Sequence, residues 1–529
     1  MKQSTKIWLL VGVIILASFL RLYHITSTPP GLYPDEAMDG NNALEVLQTG
    51  HFKVFYTEDN GREGLYVNLL VPLIKFLGNK PWVVRLPAAI AGIFTVLGMY
   101  FLVAELFQRD KGQETRDKDE KKSWSPASFL MAHGSQIALL SAFLLATSFW
   151  HINFSRIGFR AILAPLCLIW AFYWFLKSIK SKRTGGSVLY AIFAGAIFGA
   201  GFYTYIAYRV TPLLFLLFIP FFKRSPGFWK RAFLFVAAAF IVALPIGLYF
   251  LHNPGDFFGR TSEIAVTNSS SPLRDFAVNF AKTALMFNFR GDSNWRHNIS
   301  GAPELFWPVG ILFVVGVLWS IYLLCQRRKR DKGQETWDKD RASSLSHVPF
   351  AMSLIFSWLV LAALPAAASN DGIPHALRSI LMLPPAIMLA AIGGVWLYGV
   401  ARSMNPEQWM KKLIDAVAIL FILLVALNAY FSYFIVWAQN PNVPGSFNAD
   451  YVAIGDQINA LPQSTPKYVV VNAGGVLARG IPVPAETVMF VTNSFTTSTQ
   501  IENHITYLLP GQLNQIPAGT PSSTIFYVN

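Results

Sequence analysis

Three acidic side chains follow the first apolar segment at a spacing that could support acid–base chemistry. The stretch Gly31-Leu-Tyr-Pro-Asp-Glu-Ala-Met-Asp39 carries them, and Gly50 lies downstream. Pro34 suits the first helical position and Gly50 the position after the last turn, which predicts a helix over residues 34–49. Asp35 and Asp39 are four residues apart and therefore share a face of that helix. Acids at a helix start often only stabilise the helix dipole, but carboxylates pressed against a bilayer are costly unless they are used.

The composition defines the broad class of protein. The chain has 529 residues, of which 53% are hydrophobic and 14% are charged. A soluble protein carries about 25% charged residues, so this is an integral membrane protein. The formal net charge of +14 comes mostly from short basic loops between apolar runs, as the positive-inside rule expects, and gives no reason to predict a nucleic-acid partner. Cys167 and Cys325 offer neither a disulfide framework nor metal-ligand spacing.

The order of apolar runs predicts an all-α polytopic membrane protein with about eleven transmembrane helices. Lys2 and Lys6 place the N-terminus in the cytoplasm, and alternation then places the C-terminus outside. Residues 1–22 lack a small-residue cleavage site, so we interpret them as a retained first span. The predicted spans are Ile7–Leu22, Leu86–Phe107, Phe129–Phe149, Ile162–Leu176, Ser187–Ile206, Val210–Phe222, Ala232–Leu251, Leu305–Leu324, Pro349–Ala368, Leu377–Val400 and Leu413–Trp437.

Two segments outside these spans have their own character. Leu65–Leu77 is apolar but, at about 13 residues, too short to cross, so we expect a helix in the membrane interface. After residue 437 the chain becomes richer in Asn, Thr, Ser and Pro, with a predicted amphipathic helix at Asp450–Leu461 and strand-like runs at Tyr468–Val471 and Val488–Val491. The predicted organisation is therefore a transmembrane domain, residues 1–437, and a small extracytoplasmic α/β domain, residues 438–529.

A highly charged sequence occurs twice. Arg109–Asp119 reads RDKGQETRDKD, and Arg330–Asp340 reads RDKGQETWDKD. Both copies fall in loops that the basic residues assign to the cytoplasm. Each contains an Asp-x-Asp triplet, which can hold a divalent metal and a nucleotide diphosphate. The triplets enclose lysines and almost no apolar residues surround them, so we favour tolerated insertions into exposed loops.

The candidate binding residues all fall on the face predicted to be outside, in loops or at span ends. Arginines at span ends usually reach ordinary lipid phosphates, and Tyr and Trp usually form an aromatic belt. Several such clusters on one face instead suggest a base acting on a hydroxyl, beside clamps for a phosphate. The chain has no P-loop, Rossmann glycine turn or zinc signature. The candidate substrate-binding residues are Asp39, Arg156, Arg160, Tyr205, Arg209, Asp292, Arg296, His297, His375 and Arg378.

These motifs resemble the glycosyltransferase C (GT-C) superfamily. The chain is similar to glycosyltransferase family 39, the protein O-mannosyltransferases, and to the aminoarabinose and uronic-acid transferases that modify lipid A or its core. The matching motifs are Tyr-Pro-Asp35-Glu36, Trp82-Val-Val-Arg85-Leu-Pro87 and Phe-Ser-Arg156-Ile-Gly-Phe-Arg160. The resemblance is best over residues 1–220, looser through 400, and absent from the last ninety or so.

The resemblance implies an activity and assigns roles. Members take a sugar from a polyprenyl phosphate and pass it, with inversion, to an acceptor outside the membrane. By this analogy Asp35 is the catalytic base for a hydroxyl of a lipid, glycan or protein acceptor, and Glu36 supports it. The mannosyltransferases usually carry another acid where Arg156 and Arg160 stand here, so no metal ligand is assigned. No cofactor is certain, and a divalent cation stays open.

The resemblance also implies a cellular location, and two alternative functions stay open beside it. It places the protein in the cytoplasmic membrane, in contact with membrane lipid. A flippase or transporter for a lipid-linked sugar would need inverted repeats and a polar site near the bilayer midplane, and we find no repeat between the halves. A ligase that joins whole glycans to a lipid or protein is not separated from single-sugar transfer by sequence.

Overall fold

The computed structural model describes residues 2–108, 126–181, 184–331, 347–404 and 407–529. The first charged insert and all but the first two residues of its second copy lie outside these ranges. The described part is predominantly helical, as the composition predicts. The helices are α1 (Gln3–Leu22), α2 (Pro34–Thr49), α3 (Leu65–Leu77), α4 (Pro81–Leu106), α5 (Pro126–Ala132), α6 (Gly134–Thr147), α7 (Phe149–Arg156), α8 (Leu163–Lys180), α9 (Thr184–Ala200), α10 (Pro212–Leu216), α11 (Phe218–Phe222), α12 (Phe228–His252), α13 (Pro254–Glu263), α14 (Pro272–Leu285), α15 (Trp307–Asp331), α16 (His347–Ala367), α17 (Leu383–Met404), α18 (Gln408–Tyr430), α19 (Asn442–Ser446), α20 (Ala449–Ala460), α21 (Glu486–Val491) and α22 (Thr497–Glu502).

The long apolar helices form a membrane-spanning bundle. Within the described ranges, nine helical segments are long and apolar enough to cross a bilayer. Helices α6 and α7, bent by 56° at Ser148, make a tenth if they count as one span. The protein is therefore a multi-pass membrane protein, and the predicted all-α class is confirmed.

The segment expected to be a regular span at Val210–Phe222 is broken into short pieces. A 3-10 helix at Ile206–Val210 precedes α10 and α11, each of five residues. Pro212 cannot donate a backbone hydrogen bond and starts a new helix. The predicted span at Val210–Phe222 is therefore helical but interrupted.

Helices α9 and α12 lie side by side and run in the same direction. A side chain at Gly195 would collide with the carbonyl of Phe235, and one at Gly199 would meet Ala239. Both glycines, four residues apart, thus form a notch for close packing of the two helices. Tyr203 then donates to the carbonyl of Val242 at 2.8 Å. Because α9 and α12 are parallel, the broken segment between them returns the chain from one end of the bundle to the other.

The first loop, between α1 and α4, contains the predicted helix with the predicted ends. Pro34 occupies the first turn of α2, and Gly50 ends it with a left-handed φ of 72°, as a terminal glycine allows. A small antiparallel hairpin follows, made of β1 (Phe55–Tyr56) and β2 (Arg62–Glu63). Helix α3 has the bounds predicted for the short apolar helix.

Two later loops join α2 at the same end of the bundle. Residues 253–306 contain α13 and α14, and residues 368–382 connect α16 to α17. The backbone N–H of Val266 donates to Ala368 at 2.9 Å, and that of Asn370 donates to Ile264 at 2.9 Å. Asn279 on α14 also donates to the carbonyl of Ser369 at 2.8 Å. These bonds fasten the two loops together.

The last ninety or so residues form a small α/β layer, as predicted. Its parallel sheet has the order β6 (Ile505–Leu508), β3 (Lys467–Val471), β7 (Ile525–Val528). A short hairpin pairs β4 (Leu477–Ala478) with β5 (Ile481–Pro482). The apolar run at Val488–Val491, expected to be a strand, is instead part of α21. It packs against α2, since a side chain at Gly40 would collide with the ring of Phe490.

The C-terminal layer is fastened directly to the acidic helix. Met38 of α2 belongs to its apolar core. Asn41 donates to a carboxyl oxygen of Glu486 at 2.7 Å, and Thr487 donates to the carbonyl of Leu32 at 2.8 Å. Because α1 leads into α2, the C-terminal layer lies at the end of the bundle where α1 ends.

Candidate active site

The start of α2 is held by a buried ion pair. Arg85 on α4 donates from Nε to Glu36 Oε1 at 2.8 Å and from Nη2 to Glu36 Oε2 at 3.1 Å. Glu36 Oε1 also accepts from the backbone N–H of Gly158 at 2.7 Å, and Oε2 accepts from Tyr33 at 3.2 Å. Glu36 is fully buried. Its oxygens are occupied by these protein groups, and they join α2 to α4 and to the chain after α7.

Arg62 lies beneath the same turn and contacts three aspartates. Nη1 donates to the backbone oxygen of Asp35 at 2.8 Å and to Asp39 Oδ1 at 3.0 Å. Nη2 pairs with Asp59 and lies 4.0 Å from Asp35 Oδ1. Burial alone would lower the pKa of Arg62, but the three carboxylates raise it above its ordinary value. The guanidinium therefore stays charged and fixes the first turn of α2.

Asp35 and Asp39 share the face predicted from their spacing, but their exposure differs. Both carboxylates approach the Arg62 guanidinium. The Asp39 side chain is 2% exposed, whereas that of Asp35 is 36% exposed. Of these two acids, Asp35 is the one that a substrate can reach, and Asp39 is a buried partner of Arg62.

Glu63, the neighbour of Arg62 on β2, forms ion pairs with two of the arginines predicted to bind substrate. Arg160 Nε lies 2.9 Å from Glu63 Oε2, and Arg209 Nη2 lies 3.8 Å from Glu63 Oε1. The Arg160 guanidinium lies 6.0 Å from the ring centre of Tyr205. The structure thus brings three predicted residues together beside the hairpin that holds Asp35.

Arg296 reaches the same region from the loop after α14. Its guanidinium lies 3.6 Å from the ring centre of Tyr33, two residues before Asp35. Asn153 on α7 donates to the backbone oxygen of Arg296 at 2.7 Å. Burial lowers the pKa of Arg296 to about 10, which leaves it charged at neutral pH.

Asp292, His297 and His375 form one cluster between the two later loops. Asp292 Oδ2 lies 2.8 Å from Nδ1 of His297 and 3.9 Å from Nδ1 of His375. The two imidazole ring centres are 4.8 Å apart. All three residues were predicted as substrate-binding, and the structure makes them one group next to Arg296.

The other two predicted arginines are engaged elsewhere. Arg378 donates to Ser369 at 2.6 Å and to the Asp371 carboxylate at 2.7 Å, so it stabilises its own loop. Arg156 is fully buried; it donates to the carbonyls of Leu20 and Thr28 at 3.2 and 2.8 Å. Arg156 joins the end of α7 to the segment before α2 and does not face the Asp35 surface.

Arg62, Glu63 and Arg85 complete the site, and sequence reasoning gave none of them a role. Arg85 was noted only inside a family motif, and the two-residue strand carrying Arg62 and Glu63 has no periodicity to detect. The sequence offers one signal for Arg62 and Glu63. Along the first loop an acid, a base and an acid follow one another, with Asp59 before Arg62 and Glu63 after it.

Solved structures similar to this chain share its architecture. The aminoarabinose transferase ArnT from Cupriavidus metallidurans, bound to undecaprenyl phosphate, is 13% identical, and the similarity covers 96% of this chain and 90% of that chain with a TM-score of 0.52. The apo state of ArnT is 14% identical, with coverages of 93% and 84% and a TM-score of 0.52. The apo oligosaccharyltransferase from Archaeoglobus fulgidus is 14% identical, with coverages of 93% and 64% and a TM-score of 0.50. Neither a protein-family model nor a curated protein sequence matches the chain.

The likeness extends over nearly the whole chain at low identity, so it establishes the fold. The chain is a multi-pass membrane protein with the GT-C fold. The similarity to ArnT, an aminoarabinose transferase, agrees with the resemblance found in the sequence motifs around Asp35, Arg85 and Arg160.

Proposed function

We propose that this protein transfers a sugar from a polyprenyl-phosphate donor to a hydroxyl of a lipid, glycan or protein acceptor, with inversion at the sugar carbon. Asp35 is the general base. The reaction takes place on the outer face of the cytoplasmic membrane, with the N-terminus in the cytoplasm and the C-terminal layer outside. Residues 1–437 carry the reaction, and residues 438–529 support α2 from the outer side.

One observation carries the proposal: a partly exposed carboxylate stands on a rigid helix start surrounded by arginines. Asp35 is 36% exposed, yet its backbone oxygen is bonded to Arg62 and its side chain lies 4.0 Å from that guanidinium. A general base must be held in position to take a proton as the new bond forms. The contacts of Arg62, and those of Glu36 with Arg85, supply that rigidity.

The surrounding arginines suit the leaving group. When the sugar leaves, the polyprenyl phosphate gains negative charge, and guanidinium binds phosphate through two parallel hydrogen bonds. Arg160 and Arg209 approach from one side of the Asp35 region, and Arg296 approaches from the Tyr33 side. Glu63 balances part of the charge of Arg160 and Arg209, so the phosphate would compete with it for them.

The contacts of Glu36 support a positioning role for it. Its carboxylate is fully buried and bonded to Arg85, Gly158 and Tyr33. It therefore holds the turn that presents Asp35 and does not itself meet the acceptor.

The test uses purified protein with a set of polyprenyl-phosphate sugars and a mixture of envelope lipids as acceptors. Release of free polyprenyl phosphate, dependent on acceptor, is the expected result. A flippase would move the donor across a vesicle membrane without releasing polyprenyl phosphate, and that outcome would refute the proposal. Release only from donors that carry several sugars would assign the protein as a glycan ligase instead.

A further inference from the structure

A group of metal-binding side chains stands beside the proposed phosphate region. Among the described residues, one group of His, Cys, Asp or Glu side chains is close enough to share a metal ion. It consists of Asp292, His297 and His375. Their ligand atoms all lie within 4.8 Å of one another. The three residues come from two loops, residues 286–306 and 368–382, that are distant in sequence.

We propose that Asp292, His297 and His375 bind a divalent transition-metal ion, with Zn²⁺ as the best fit. This site goes beyond the proposed sugar transfer, because binding of the ion requires only the three side chains.

The distances are close to those of a coordination shell. Zn–N and Zn–O bonds are about 2.0–2.2 Å, so tetrahedral ligand atoms lie about 3.3–3.5 Å apart. Asp292 Oδ2 is 2.8 Å from His297 Nδ1 and 3.9 Å from His375 Nδ1. The widest separation in the group is at most 4.8 Å, so shifts of roughly 0.7 Å in each of two side chains would bring the ligand atoms to this spacing.

The surroundings hold the carboxylate in place. The backbone N–H of Ala376 donates to Asp292 Oδ2 at 2.8 Å, and that of Asn294 donates to Oδ1 at 2.8 Å. The backbone N–H of Asp292 donates to Glu304 Oε1 at 2.9 Å. Such outer contacts orient metal ligands and are a regular part of metal sites. They also join the two loops that supply the ligands.

The donor set selects the kind of ion. Two imidazoles and one carboxylate suit Zn²⁺ and other first-row transition metals, whereas Mg²⁺ and Ca²⁺ prefer oxygen ligands throughout. Three protein ligands leave one position open in a tetrahedral shell. The His375 side chain is 14% exposed, and those of Asp292 and His297 are each 4% exposed. The ion and its fourth ligand would therefore enter from the His375 side.

The charges nearby indicate what the fourth ligand would be. Arg296 precedes His297 in the chain, and Arg378 follows His375 by three residues. A divalent ion next to these two guanidiniums leaves excess positive charge even after Asp292 and Asp371 are counted. An anionic oxygen at the open position would balance it. That this oxygen is a donor phosphate rests on the proposed function; the binding of the ion does not.

The test uses the whole protein in detergent after treatment with a chelator. Co²⁺ is added as a probe, because tetrahedral Co²⁺ absorbs visible light, and bound Zn²⁺ is counted separately by mass spectrometry after gel filtration. We expect one ion per chain and a visible Co²⁺ spectrum. His375→Gln should weaken binding at least about 10-fold, since loss of even an outer-shell partner costs about 10–100-fold. His375 is the most exposed of the three, so this variant is the least disruptive to folding.

The matched control is His252→Gln, which removes an exposed histidine at the end of α12. It should bind Co²⁺ like the parent. Absence of a bound ion in the parent, or parental affinity in His375→Gln with a normal gel-filtration profile, would overturn the proposal. Ion binding without any release of polyprenyl phosphate would support the metal site while refuting the transferase activity, so the two failures are distinguishable.

Discussion

Substitution of Arg62 tests whether its buried ion pairs hold the hairpin and the first turn of α2 in place. The Arg62 side chain and that of Asp39 are each 2% exposed and lie 3.0 Å apart. Arg62→Met keeps the length and apolar stem but leaves the Asp39 carboxylate buried without its partner. Removing one member of a buried pair costs about 3–5 kcal/mol, because the remaining charge has lost its compensation.

The expected effect is local and measurable. At about 1.4 kcal/mol per tenfold change, a loss of about 3–5 kcal/mol raises the opened fraction of the hairpin and the first turn of α2 by about 10²–10³ or more. Hydrogen–deuterium exchange of the amides in residues 51–64 measures that fraction, up to the limit set by global unfolding. Donor turnover should fall in the same variant, since Arg62 also holds the backbone of Asp35.

Two further variants control the interpretation. Arg479→Met removes an arginine that also pairs with two carboxylates, Glu45 at 2.9 Å and Glu58 at 3.0 Å, but is 36% exposed. Exposed pairs contribute about 0–1 kcal/mol, so exchange should change by less than about tenfold. Adding Asp39→Asn to Arg62→Met removes the uncompensated charge and should recover part of the loss. Equal effects of the Arg62 and Arg479 variants, or no recovery in the double variant, would refute the reasoning.

Three other outcomes are expected. Burial raises the pKa of Glu486 from about 4.5 to about 8. The contribution of Glu486 to docking of the C-terminal layer is therefore full below the unfolded-state pKa and is lost as the pH rises through the folded-state pKa. Glu486→Gln should flatten this pH dependence when proteolysis of the layer is measured across pH, and an unchanged pH profile would contradict the prediction. Arg209→Ala should raise the KM for a polyprenyl-phosphate donor about tenfold or more, because it removes a phosphate-binding guanidinium. Arg290→Ala, which removes an exposed arginine after α14, should leave the KM unchanged. Equal KM values for the two variants would return Arg209 to the role of a span-end anchor. Cysteines at positions 112 and 333 should resist a membrane-impermeant thiol reagent in intact cells, since both charged inserts are predicted to be cytoplasmic, and labelling of either from outside would reverse the orientation.

Elements with local signals were predictable from the sequence. Pro34 and Gly50 defined α2, and the structure places its helix at Pro34–Thr49. The helix predicted at Asp450–Leu461 is observed at Ala449–Ala460. Apolar run length identified most membrane helices, because the bilayer sets a required length.

Elements determined by long-range contacts were not predictable in the same way. Val488–Val491 has strand-like composition, but its burial against Gly40 and Asn79 of distant segments favours a helix. Glu36 and Arg85 are 49 residues apart, so their ion pair has no local signature. The same is true of Asp292 and Ala376, which are 84 residues apart. Sequence spacing placed Asp35 and Asp39 on one face, but only the packing of Arg62 showed which one is exposed.

The central claim is that Asp35 acts as a general base in transfer from a lipid-linked donor. Its most direct test is single-turnover release of polyprenyl phosphate by Asp35→Asn, compared with the parent and with Asp275→Asn, a partly exposed acid on α14. Asparagine keeps the size of the side chain and removes its basicity, and a positioned base contributes about 10²–10⁴-fold. We expect Asp35→Asn to bind the donor like the parent and to release polyprenyl phosphate slower by about that factor, with Asp275→Asn unaffected. Parental release rates in Asp35→Asn would contradict the account.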